Sequence, residues 1–352
     1  MARRLRADDR TRLALLVAVS AQLFVGSPAI EATQSSSSYA ELVSEYIQGG
    51  AASQKAVLDL AALPQPKVTA MIEADARFLP EPRQRAAVML HTDTAYAQLL
   101  AGLTSNGLFQ IMAARRVVAV MKAGGRGNAR TQALERRWYA FAVSLLTSNA
   151  DLDRADFMVR DALSLYPREA RLYVARGVLQ EMRIAAIPVD QRSGNQIARH
   201  DRELEKAATD YRRAIGFDPM LANAHIRLGW IHLALRDSRA AENFDQALVV
   251  AAEPIDRYLA HLMRGGLAER ESRFDAALVD YEAARAICPT CQTPFIALAR
   301  IETALGHTAR AHEIATALAA LAERTNDPWW DFHLGGFDSS SLIWLRTEAT
   351  AP

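Results

Sequence analysis

The chain has 352 residues, half of them hydrophobic, with 41 basic side chains against 40 acidic ones. That apolar content supplies a large core and excludes disorder throughout, while the charge balance leaves no global field for nucleic acid or an acidic polymer. Alanine and leucine are abundant and β-branched runs are short, so the predicted fold class is all-α.

Arg3, Arg4, Arg6, Arg10 and Arg12 precede an uncharged apolar run from Leu13 to Val25, which is the shape of a signal peptide. Ser27 and Ala29 have the spacing a signal peptidase reads, placing the cut after residue 29, with Ala32 as a second site. The apolar run is shorter than the roughly 20 residues that span a bilayer, so no permanent membrane span is expected after cleavage. Asp8 and Asp9, and an Arg3-Arg4 pair without the rest of a twin-arginine pattern, favour the general secretory route. No cysteine lies near the cut, which argues against a lipoprotein. The expected location is periplasmic or secreted. Residues 33–38 form a polar serine run and are expected to be a flexible spacer.

Residues 39–125 have helical patterning broken at Gly49-Gly50, Pro64, Pro66, Pro80 and Pro82. The stretch Met89-Leu90-His91-Thr92-Asp93 carries catalytic side-chain types but no accompanying nucleophile, so helix packing is expected there.

From residue 136 onward the chain is periodic. Pro167, Pro219, Pro254 and Pro289 close successive segments, the last three of them 35 residues apart. Between Tyr258 and Pro289, Arg264-Gly265 falls in a first helix, and Phe274, Ala277, Tyr281 and Ala284 follow in a second. The preceding segment repeats this with Leu228-Gly229 and then Ala240, Phe244 and Ala247. Upstream, Tyr173, Arg176 and Gly177 match a first helix, and Ala207, Tyr211, Ala214 and Pro219 a second. Residues 187–200, with Pro188, Ser193, Gly194 and Asn195, read as an insertion between those halves. Segment 136–167 fits through Tyr139, Ala155, Val159 and Ala162, and 292–323 fits as a degenerate last unit through Leu298, Ala299, Gly306 and Ala311.

These residues resemble the tetratricopeptide repeat family over 136–323, most closely from 222 to 289. The resemblance implies a helix-pair solenoid in which each aromatic fills the space beside a small residue. It also implies a concave groove lined by first helices, with Val174, Val178, Met182, Ile226, Trp230, Leu233, Leu262 and Ile296 as its candidate surface. The lysine and asparagine set with which chaperone-binding members clamp an acidic peptide terminus is missing. A protein or peptide partner that lays an apolar helix in the groove fits better. The competing expectation is that the insertion or the tail fills the groove. The tail, residues 324–352, is expected to cap the solenoid with Trp329, Trp330, Phe332, Phe337 and Trp344.

Cys288 and Cys291 have the spacing of a redox or metal pair, and in an oxidising compartment of a disulfide. A zinc site needs two further ligands, and c-type haem attachment needs His where Gln292 stands. His225, His232 and His261 recur on first helices, where packed imidazoles with local hydrogen bonds are expected rather than a metal cluster. No phosphate loop, dinucleotide fingerprint, nucleophile elbow or zinc-protease helix is present. The sequence therefore points to a cell-envelope protein-binding scaffold and not to an enzyme, with no cofactor, metal or nucleic acid. The alternative is an exported thiol-disulfide redox protein using the cysteine pair.

Overall fold

The computed structural model describes residues 38–126, 128–185, 194–321, 327–333 and 339–349. The expected leader (1–29, or to 32) and residues 33–37 of the expected spacer lie outside them. The regular structure among the described residues is all helical. The described residues fall into two compact units, one within 3–145 and 339–352 and the other within 146–338.

The first unit opens with α1 (Tyr39–Gln48), α2 (Gly50–Ala62), α3 (Gln65–Asp75), α4 (Glu81–Leu100), α5 (Thr104–Met121) and α6 (Ala129–Ser148). The second contains α7 (Leu152–Leu165), α8 (Ala170–Ala185), α9 (Gly194–Phe217), α10 (Ala222–Ala234), α11 (Ala240–Val250) and α12 (Pro254–Arg270). It continues with α13 (Phe274–Ile287), α14 (Gln292–Ala304), α15 (Thr308–Ala319) and the short α16 (Pro328–His333). The last helix, α17 (Ser339–Ala349), returns to the first unit. The segment 324–352 is therefore not one cap, because α16 and α17 serve different units.

Ser38 is not spacer. Its hydroxyl accepts from the Glu41 amide at 3.3 Å while its own amide donates to the Glu41 carboxylate at 2.7 Å, a capping box that starts α1. Within the first unit α4 is the hub, with α1, α2, α5 and α17 packed around it. Its apolar residues form no single stripe, as expected of a helix buried on all sides, and its polar residues must therefore find partners inside. Thr92 and Thr94 donate to the Val88 and Leu90 carbonyls at 2.7 and 2.8 Å. His91 Nδ1 lies 2.6 Å from the Gln110 amide oxygen and Nε2 lies 2.9 Å from the Tyr39 hydroxyl. With that oxygen accepting, Nδ1 carries the proton and Nε2 accepts from Tyr39. Asp93 accepts from Tyr46 at 2.6 Å and from Arg346 of α17 at 2.8 Å. Arg137 adds a second tie to α17, donating to the Trp344 carbonyl at 2.7 Å and pairing with Glu348 at 3.0 Å. The stretch Met89–Asp93 is thus a buried, hydrogen-bonded seam.

In the second unit each first helix packs on its second, α8 on α9, α10 on α11, α12 on α13 and α14 on α15. Each second helix then packs on the next first helix. One left-handed residue closes each of α6, α10, α12 and α14: Ala150, Arg236, Ser272 and Gly306. The amide that follows it reaches back five residues, as in Asp237 to His232 and Arg273 to Ala268, both at 2.8 Å. The same closure joins α4 to α5 through Gly102 and Leu103, a repeat-like hairpin within the region 39–125.

The contact that sets the helix spacing is a glycine against an aromatic ring. A Cβ on Gly177 would fall 2.5 Å from Tyr211, one on Gly229 2.5 Å from Phe244, and one on Gly265 2.7 Å from Tyr281. The three rings are buried, as are the alanines beside them, Ala214, Ala247, Ala277 and Ala284. Phe274 packs against the same core from a half-buried position. Where the ring is tyrosine, a polar pattern accompanies it. Arg176 pairs with Asp210, and Tyr211 donates to Glu181. Two repeats on, Arg264 pairs with Asp280, and Tyr281 donates to Glu269 at 2.8 Å. Each glutamate also accepts from an arginine of the next first helix, Glu181 from Arg227 and Glu269 from Arg300. In the middle repeat, Leu228, Leu233, Asn243 and Phe244 replace all four partners.

Of the insertion expected at 187–200, residues 194–200 are the opening turns of α9, and 187–193 lie outside the described residues. Gly194 and Asn195 are start signals as much as breakers, and here they begin a helix. The break between units falls inside α6, not ahead of residue 136.

Adjacent glycines of α12 offer a direct test. Gly265→Ala should cost about 1–3 kcal/mol, because the new methyl meets a buried ring. Gly266→Ala, whose Cβ would lie 3.7 Å from the Tyr281 hydroxyl, should instead gain roughly 0.5–1 kcal/mol of helix propensity. Denaturant midpoints of the two variants should move in opposite directions. A second test uses His91, whose pKa burial lowers from 6.5 to about 4 against the opposing Gln110 bond. The unfolded chain then binds the proton first, so stability is full above 6.5 and falls by about 3 kcal/mol as pH drops towards 4. A His91→Asn protein, less stable at neutral pH, should lose that part of the slope in unfolding curves taken across this window.

Candidate binding face

The first helices α10, α12 and α14 present one face to α16, and the contacts there are specific. Asp327, buried just ahead of α16, accepts from the Tyr258 hydroxyl at 2.6 Å and from the Thr293 amide at 2.8 Å. Its carboxylate also accepts from the Trp329 amide at 3.0 Å, so one side chain starts α16 and fastens it to α12 and α14. Burial and the Asp327 carboxylate push the Tyr258 hydroxyl up, so it keeps its proton and remains a donor.

The other end of α16 meets α10. The Arg227 guanidinium lies 4.2 Å over the Phe332 ring, and the Trp230 ring meets His333 edge-on at 4.7 Å. The Trp329 ring also meets His333, with centroids 4.5 Å apart. Burial, then the nearby Arg227 charge, lower the His333 pKa, which favours its neutral form in this position. Arg227 is itself held by Glu181, the acceptor of the Tyr211 hydroxyl. Burial pushes the Glu181 carboxyl up, opposed by Arg227 and Tyr211. The face is thereby tied to the repeat core beneath it.

The groove expected from the sequence differs from this surface. Val174, Ile226, Leu233 and Leu262 are buried, the last three within the solenoid core. A first helix packs on its own second helix, on the preceding second helix and on the next first helix, which leaves only a narrow stripe outward. Val178, Met182 and Trp230 are half-buried, and Ile296 alone of the eight is exposed, at 44%. Of the aromatic tail, Phe332 is buried and Trp329 packs on the repeat core, while Trp330 is 50% exposed. Trp344 stacks under Arg137 in the first unit, and Phe337 lies outside the described residues. Arg227, Tyr258, Thr293 and Asp327 were not singled out by sequence. The signal for Asp327 was available in Asp327-Pro328, an N-cap followed by proline at the first helical position.

The three repeat histidines make local bonds: His225 with the Pro219 carbonyl at 3.0 Å, His232 with Asn243 at 3.0 Å and His261 with Asp280 at 2.8 Å. Burial raises the Asp280 carboxyl, but hydrogen bonds from His261 and Arg264 outweigh it and hold it below its ordinary value. Among the described residues no group of three or more His, Cys, Asp or Glu side chains is placed to hold a metal ion. Cys288 and Cys291 are joined in a disulfide across the turn between α13 and α14, with Cys291 buried at the α14 N-cap.

No protein-family model and no curated protein matches the chain. Among solved structures it is similar to the pilF protein of Pseudomonas aeruginosa, at 16% identity over 63% of this chain and 89% of that one, with a TM-score of 0.46. A tetratricopeptide repeat protein of Parabacteroides merdae is 17% identical over 75% and 85% of the two chains, with a TM-score of 0.43. One from Thermus thermophilus is 17% identical over 59% and 98%, with a TM-score of 0.40. Such values compare folds and nothing finer. The repeated glycine–aromatic contact and the order of the helices, rather than those scores, make the second unit a solenoid of stacked helix pairs.

Proposed function

We propose that the protein is an exported binding scaffold that receives a segment of a protein partner on the first-helix face of α10, α12 and α14. One observation carries this reading: the face already holds a short helix, α16, through a buried carboxylate at one end and an aromatic ring at the other. The tail helix fills this face, and the groups that hold it are those that would hold a like segment of a partner once α16 is displaced. Export is supported by the arginine-rich, apolar start and by the Cys288–Cys291 disulfide, which suits an oxidising compartment. Among the described residues no helix is long and apolar enough to cross a membrane. The cysteine pair is read as a local staple, because Cys291 is buried at the start of the helix whose Thr293 amide holds Asp327.

Cell fractionation should recover the protein outside the cytoplasm with its first residue near Ile30 or Thr33. The binding test is capture of a partner from the native envelope fraction. Unseating α16 with Asp327→Ala and Phe332→Ala should increase capture, and adding Arg227→Ala and Trp230→Ala should reduce it by about tenfold or more. Cys288→Ser with Cys291→Ser should leave it unchanged. Capture indifferent to all four substitutions, the two that unseat α16 and the two in the face itself, in proteins of normal helical content, would remove this face from the function.

A further inference from the structure

We infer that the face selects a short helix preceded by a carboxylate and carrying an aromatic ring five residues later, the pattern Asp-Pro-x-x-x-Phe, and that residues 327–333 are the chain's own occupant of a site meant for such a segment in a partner. The inference rests on the scaffold reading above and specifies its ligand.

The chemistry of the two ends sets the pattern. At one end, the Tyr258 hydroxyl and the Thr293 amide converge on Asp327 from two different repeats, at 2.6 and 2.8 Å. Thr293 lies in the first turn of α14, whose amides lack acceptors within their own helix. Two donors converging from two repeats call for a group with two lone-pair-rich oxygens, and a carboxylate satisfies both at once. At the other end, a guanidinium 4.2 Å above a ring favours an aromatic over an aliphatic side chain of equal size. Arg227 is held in place by Glu181, so its position belongs to the repeats and not to α16. Proline after the carboxylate supplies a preset helical start at no loss of hydrogen bonds. The spacing between the two ends, Asp327 to Phe332, is what a short helix bridges.

The occupant is suited to exchange. A helix as short as Pro328–His333 has no stability of its own and is ordered by the face it lies on. Being tethered, it competes as though present at about millimolar concentration, which keeps weak or imperfect segments out and admits a partner that matches both ends. Its exposed ring, Trp330, is free of that requirement, consistent with recognition through Asp327 and Phe332 and not through every aromatic of the segment.

The test uses a fluorescein-labelled peptide spanning residues 325–335 of this chain, titrated against the protein from Ile30 onward and read by anisotropy. The Asp327→Ala, Phe332→Ala protein should bind it saturably and at least about tenfold tighter than the wild type, whose site is occupied. Adding Arg227→Ala to that protein, or replacing the peptide's aspartate at the position of Asp327 with alanine, should each weaken binding by about tenfold or more. If the double variant does not fold, as judged by circular dichroism, Asp327→Asn makes the same comparison with every aromatic retained. No saturable binding to a folded, unseated protein, or binding indifferent to both the peptide's aspartate and Arg227, overturns the inference. If the peptide fails while the unseated protein still captures an envelope partner that Arg227→Ala releases, the ligand pattern falls and the scaffold reading stands. If both fail, both fall.

Discussion

The close approach of a glycine backbone to an aromatic ring is the constraint on which the second unit depends. At Gly177, Gly229 and Gly265 a single methyl group would overlap the ring of Tyr211, Phe244 or Tyr281. The ring fills the volume a side chain would occupy, so each helix pair sits at the distance that native packing density requires. Because three consecutive pairs are built on the same contact, they present equivalent surfaces to one another and the solenoid extends through them without a shared central core.

The polar groups around that contact carry it outward. Tyr211 fills the space beside Gly177 and places its hydroxyl on Glu181; Glu181 holds Arg227 of the next repeat, and Arg227 covers Phe332. Four contacts thus run from a backbone approach inside one repeat to the ligand-like helix on the face of the next. The same arrangement recurs two repeats later through Gly265, Tyr281, Glu269 and Arg300. In the repeat between, phenylalanine replaces tyrosine and its partners change with it, since a buried carboxylate without the hydroxyl and arginine would be left unsatisfied. The repeats are alike in shape and alternate in chemistry.

The solenoid was legible because its determinants are local: small and aromatic residues at fixed spacing and prolines at the ends of helix pairs. The pairing of Gly177 with Tyr211 could be read across an insertion whose helical opening could not. The face was only partly legible. Trp230 stood out, but its neighbours Arg227, Tyr258 and Thr293 come from three helices and converge only once the repeats are stacked. Periodicity finds the apolar side of a first helix without telling which residues pack between helices, so Ile226, Leu233 and Leu262 were placed in a groove when they form the core. In the first unit, the missing nucleophile beside His91 and Asp93 already pointed to helix packing, but nothing local tells that α4 has neighbours on every side or which side chains those two residues meet. The capping box at Ser38 and the Asp-Pro start of α16 were readable signals that went unused.

The division of the C-terminal region has a practical consequence for anyone wishing to open the binding face. Shortening the chain from its end would be the obvious way to remove α16, but every truncation that reaches it first deletes α17. Asp93 would then keep only the Tyr46 hydroxyl inside the first unit, and losing the partner of a buried carboxylate costs about 3–5 kcal/mol. A shortened protein would combine an uncovered face with a weakened helical hub, and any phenotype would have two origins. The last residues therefore act as two separate devices in series, and the inner one can be studied cleanly only by point substitution with the outer one left intact.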